Sequence, residues 1–113
     1  MVVYNNEEGK LKNYNPELMQ FLLNKSPNDI DEYLTKNQID INFDGLYFKY
    51  ETQPNQSINY LAIVINNNRQ EMKDIIKVLL KFGADPRKNF KDSERNALDI
   101  WNINHSNQPF PSI

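Results

Sequence analysis

One histidine, His105, and no cysteine stand among the 113 residues of this chain. Without cysteine there is no thiolate nucleophile, no disulfide and no cysteine-based zinc site. A lone histidine serves a Ser-His-Asp arrangement only if partners orient it. His105 lies in the polar stretch Asn104-His105-Ser106-Asn107 and reads as a solvated tail residue. Asp29, Asp31 and Glu32 cluster, but they fall at the start of an expected helix, where negative charge complements the dipole. The sequence has neither an Asp-x-Asp-x-Asp-Gly calcium loop nor a His-Glu-x-x-His pair, and Gly9, Gly45 and Gly83 are too far apart to cradle a phosphate. These residue types predict no enzyme, no cofactor and no metal.

Charge and hydropathy narrow the partner. Thirteen Lys and Arg against fifteen Asp and Glu give a net charge of −2. Arg87, Lys88 and Lys91 are the nearest thing to a basic stripe, and Asp85, Asp92 and Glu94 offset them, so no nucleic-acid surface is expected. The longest apolar run, Leu61 to Ile65, is far short of the roughly 18 residues that span a membrane. The opening MVVYNNEEGK has no basic region followed by an apolar one, so no signal peptide is expected. The expected compartment is therefore the cytoplasm, or a host cytosol if the chain is a translocated effector. Eighteen Asn, eleven Ile and ten Lys point to an AT-rich genome, such as that of an intracellular bacterium, a protist or a large virus.

The elements that would carry a binding surface are mostly helices. Asn15-Pro16 and Ser26-Pro27 each pair a capping side chain with a proline suited to the first helical position. Leu18, Phe21 and Leu22, then Ile30, Tyr33 and Leu34, give two short amphipathic helices. Residues 42–56 read as a long loop or β-finger around Asp44-Gly45, closed by Pro54. Ser57 is the expected cap of a third helix through Tyr60, Leu61, Val64 and Ile65, interrupted at Asn66-Asn67-Asn68. Glu71 to Phe82 is the clearest helix, with Met72, Ile75, Ile76, Leu79 and Leu80 on one face. Gly83 supplies a left-handed cap and Pro86 prevents continuation. Asn96 caps a last helix through Leu98, Ile100 and Trp101.

The stretch Leu79-Leu80-Lys81-Phe82-Gly83-Ala84-Asp85-Pro86 resembles the close of an ankyrin repeat, and Ile75 to Leu80 resembles its second helix. Ser57-Ile58-Asn59-Tyr60-Leu61-Ala62 is similar to the family's Thr-Pro-Leu-His-x-Ala at Ser57 and Ala62 only. Tyr33-Leu34 with Ile39-Asp40-Ile41-Asn42 resembles a degraded first copy, and Asn96-Ala97-Leu98-Asp99-Ile100 a third start. The resemblance covers about residues 15–104 in two and a half repeats, with extra residues before Ile75 and before Ser57. It implies an all-α, short helix-pair solenoid with β-hairpin-like loops. The expected plan is a single domain over 1–113: a polar N-terminal arm (1–13), a first repeat (15–42), an inserted finger (43–56), a second repeat (57–86), a second finger (87–95), and a half repeat with a C-terminal cap or tail (96–113).

Such proteins bind other proteins with their fingers and with the concave face of the first helices. The resemblance thus implies a non-catalytic interaction module, with Phe43, Asp44, Tyr47, Tyr50, Tyr60, Arg87, Phe90, Lys91, Arg95 and Asp99 as partner-binding residues. Ile63, Val64 and Asn102 would lie on the same concave face. An immunity or inhibitor protein covering an enzyme's active site is the alternative, and self-association through exposed repeat ends is a further one. Trp101 and Phe110 are the expected apolar cover at the C-terminal end.

Overall fold

Short polar side chains start four of the five described helices. The structure, a computed structural model of the chain, describes residues 2–5, 15–42, 46–49, 56–90 and 94–112. Its elements are β1 (Val2–Asn5), α1 (Pro16–Asn24), α2 (Pro27–Lys36), β2 (Leu46–Lys49), β3 (Gln56–Ile58), α3 (Tyr60–Asn67), α4 (Met72–Lys81) and α5 (Ala97–Asn104). Asn15 accepts from the Leu18 N–H at 2.9 Å and Ser26 from the Asp29 N–H at 3.2 Å. Each thereby satisfies one of the donors that a helix start leaves unpaired. The third cap is two residues later than expected. Ser57 lies in β3 opposite Tyr47, and Asn59 caps α3 by accepting from the Ala62 N–H at 3.0 Å. At the other ends, Asn68 closes α3 at φ 53° and Gly83 follows α4 at φ 96°. Both are left-handed conformations that Gly and, less readily, Asn adopt.

Five helices among the described residues carry the core, which places the fold in the helical class. α3 packs against α1 on one side and α5 on the other, α4 packs on α3 and α2, and α2 folds back on α1. The helices therefore form two rows, α1-α3-α5 and α2-α4. Antiparallel pairing in the order β1-β2-β3 adds a small sheet. The N-terminal segment was expected as a polar arm. Its Val2, Val3 and Tyr4 instead pair with Lys49, Phe48 and Tyr47, as suits their strand propensity. No helix among the described residues is long and apolar enough to cross a membrane.

Burial centres on α3. Every residue from Tyr60 to Ile65 is at most 2% exposed. Six consecutive residues cover more than one full turn of an α-helix, so this part of α3 has no solvent face. Leu18, Ile30, Ile75, Ile76 and Leu79 are fully buried around it, and each such side chain contributes about 1.5–3 kcal/mol.

Polar contacts then join the first helix pair to the second. The Asn15 N–H donates to the Tyr60 hydroxyl at 2.9 Å. Arg69 donates from Nη1 to the Leu22 carbonyl at 2.9 Å. Asn42 brackets the turn after α4, donating to the Gly83 carbonyl at 2.9 Å and accepting from the Asp85 N–H at 2.7 Å. Lys81 and Asp31 pair at 2.7 Å; exposed as the lysine is, that pair contributes at most about 1 kcal/mol. At the far end Trp101 is 1% exposed. Its indole N–H donates to the Gln108 carbonyl at 3.0 Å, and Phe110 meets its ring edge-on at 5.5 Å.

Candidate protein-docking surface

α5 begins with a reciprocal cap. Asn96 Oδ1 accepts from the Asp99 N–H, and Asp99 Oδ2 accepts from the Asn96 N–H. Ala97 and Trp101, one turn apart, face the core at 0% and 1% exposure. Ile103 comes two residues after Trp101, about 200° around the helix at 3.6 residues per turn. It therefore points outward and is 64% exposed, the one large apolar side chain so exposed among the described residues. Glu94, Arg95, Asp99 and Asn102 join Ile103 around an open depression of about 500 Å³.

The described residues leading into α5 are held from within. Phe90 is 4% exposed, and its N–H donates to the Arg95 carbonyl at 2.8 Å. The Leu98 N–H donates to the Pro86 carbonyl at 3.1 Å. Arg87 and Lys88 stay on the outside of the same loop. The Arg87 N–H donates to Asp85 Oδ1 at 2.9 Å, and the Lys88 ammonium reaches the Asn42 carbonyl at 2.9 Å.

A second, smaller depression of about 260 Å³ lies where the last turns of α3 and α5 meet, lined by Ile65, Asn66, Asn68, Asn104 and His105. The Asn104 amide donates to Asn66 Oδ1 at 3.1 Å, which brings the last turns of α3 and α5 together. His105 is not the solvated tail residue expected. One turn beyond Trp101, it lies on the same face, half-buried, with its ring 4.4 Å from the indole. Its Nε2 is buried without a hydrogen-bond partner.

A third hollow, about 330 Å³, opens between α1 and α2 over Phe21 and Tyr33, whose rings lie 4.5 Å apart. Burial, reinforced by a bond to the Glu17 carboxylate, pushes the Tyr33 hydroxyl above its ordinary 10.0, while a bond with Asn15 pulls the other way. None of the nominated residues lines this hollow.

Of the partner-binding residues expected from sequence, the structure brings Arg95 and Asp99 together with Asn102 and leaves Arg87 exposed nearby. It removes Tyr60 and Phe90 from any docking role, at 0% and 4% exposure. Tyr60 belongs to the enclosed turn of α3, and Phe90 anchors its loop. Ile63 and Val64, each 2% exposed, are withdrawn for the same reason. Phe43, Asp44, Tyr50 and Lys91 lie outside the described residues, and Tyr47 is described only by its backbone in β2. Ile103 and Glu94 were not nominated. The signal for Ile103 was present, because its position falls off the Ala97-Trp101 stripe. No protein-family model matches the chain, and neither a curated protein nor a solved structure does.

Proposed function

We propose that this chain is a non-catalytic protein-interaction module of the ankyrin-repeat type, and that it holds its partner on α5 and the 87–95 loop. The observation that carries the reading is Ile103, 64% exposed within a rim of Glu94, Arg95, Asp99 and Asn102. An apolar centre inside a polar rim is the usual anatomy of a protein interface. The two-row helix packing and the Gly83 cap after Leu79-Leu80 support the ankyrin-type assignment. The finger at 43–56 is a second contact on this reading. The concave face contributes through α5 alone, because α3 is enclosed.

The test compares two baits. Wild-type protein and Ile103→Asp are immobilised side by side in lysate from the cells that make the chain, and captured proteins are identified by mass spectrometry. Replacing an exposed side chain shifts stability by only about 0.5 kcal/mol, so both baits are folded. A protein held by the wild type and lost with Ile103→Asp supports the reading. A capture profile that Ile103→Asp leaves unchanged removes α5 as the docking surface.

A further inference from the structure

After α5 the chain turns at His105, whose carbonyl accepts from the Gln108 N–H at 3.0 Å, and lays Gln108-Pro109-Phe110-Pro111 over Trp101. The indole N–H donates to the Gln108 carbonyl at 3.0 Å, Phe110 meets the indole edge-on at 5.5 Å, and Pro111 is buried. Gln108, Pro109 and Ser112 stay exposed. Beyond Gln108 no hydrogen bond among the described residues ties the segment down. It belongs to no helix or strand. The segment therefore sits on Trp101 as a short bound peptide would.

Its sequence explains why so few contacts suffice. Proline fixes its own φ, and a residue before proline is pushed to extended backbone, which covers all four positions from Gln108 to Pro111. Little conformational freedom is left to lose on seating, and an extended prolyl backbone has its carbonyls free to accept. Segments of this kind dock on aromatic-lined grooves. Here Trp101 and His105, with rings 4.4 Å apart, supply the aromatic wall, and the indole N–H reads one free carbonyl.

We propose that the Trp101 surface is a recognition groove for extended proline-aromatic-proline segments, that residues 108–111 fill it as an intramolecular ligand, and that a partner protein bearing such a segment takes their place. The groove lies about 200° around α5 from Ile103, so it stands or falls independently of docking there. A tail joined to its groove by so short a connection acts at roughly millimolar effective concentration. The tail thereby sets a threshold that a chance match in another protein does not reach.

The experiment titrates a labelled synthetic peptide of residues 106–113 into three full-length proteins: wild type, Phe110→Ala and Pro111→Asp. Anisotropy of the label measures binding. Emission of Trp101, the sole tryptophan, shows whether the peptide reaches the groove. Both variants loosen the tail and are expected to emit at longer wavelength than wild type. The peptide returns their emission towards that of wild type, and the same peptide with alanine for phenylalanine does not. Wild type binds at least about tenfold more weakly, because its groove is already filled. Absence of binding to the variants, equal binding to all three proteins, or equal binding of the alanine peptide overturns the groove. Should a variant fail to fold, wild type titrated into the millimolar range decides: binding lost with the alanine peptide supports the groove, and no binding overturns it. Light scattering on wild type covers the other occupant. A dimer that forms with rising concentration while Trp101 emission stays constant assigns the groove to a second copy's tail and overturns the partner.

Discussion

Tyr33 shows how much a single side chain can join. Its ring packs on Phe21, and its hydroxyl meets the Asn15 side chain, whose backbone N–H in turn donates to Tyr60. Because burial holds its pKa above the ordinary 10.0, the folded state favours the neutral phenol. A raised pKa contributes stability in full below the unfolded value and loses it as pH rises through the folded one. The melting temperature is therefore expected to fall above pH 10 and to fall less in Tyr33→Phe. Melting curves at a series of alkaline pH values check this, and parallel curves for the two proteins would refute it. At this scale the caps Asn15, Ser26 and Asn96 were legible, because capping is settled by a few adjacent atoms. Tyr60, Phe90 and His105 were misread, because a residue's exposure depends on what the rest of the chain brings to it. Tyr60 did carry a warning. The run Tyr60-Leu61-Ala62-Ile63-Val64-Ile65 holds no charged residue, and a helix apolar all round is a buried one.

At the scale of elements, the first and second helix pairs are joined by contacts that reach across the chain. Asn42 is the clearest, since one amide satisfies both a carbonyl and an N–H on the turn after α4. These bonds are exposed, so water replaces part of what is lost in Asn42→Ala. A destabilisation of about 1 kcal/mol is expected, measured as a lower urea midpoint with unchanged slope. The helices themselves were legible from spacing. Four of the five began at the residue expected or one beyond, and α3 was displaced because Ser57 and Asn59 are both competent caps. Pairing of β3 with β2 takes Ser57 into a strand. The pairing of β1 with β2 was not legible, for no local pattern connects Val2 to Lys49.

For the molecule as a whole, α5 ends the row α1-α3-α5 and has one face left to cover. Here the segment from Gln108 to Pro111 covers Trp101, by a hydrogen bond to the indole and by the Phe110 ring. Trp101 is the sole tryptophan, so its emission reports on this end alone. Phe110→Ala is expected to cost about 1–2 kcal/mol and to shift the emission to longer wavelength, which a fluorescence-monitored denaturation curve reads directly. An unshifted spectrum would mean that Phe110 does not shield the indole.

The enclosed turn of α3 also settles where this chain is free to change. Most helices keep a wet side on which substitutions pass unnoticed, and between Tyr60 and Ile65 there is none. Anyone building a binder library on this scaffold would hold those six positions fixed and randomise Arg87, Glu94, Arg95, Asn102 and Ile103. Diversity at these exposed sites leaves the packing untouched, so the chain can acquire new partners without renegotiating its fold.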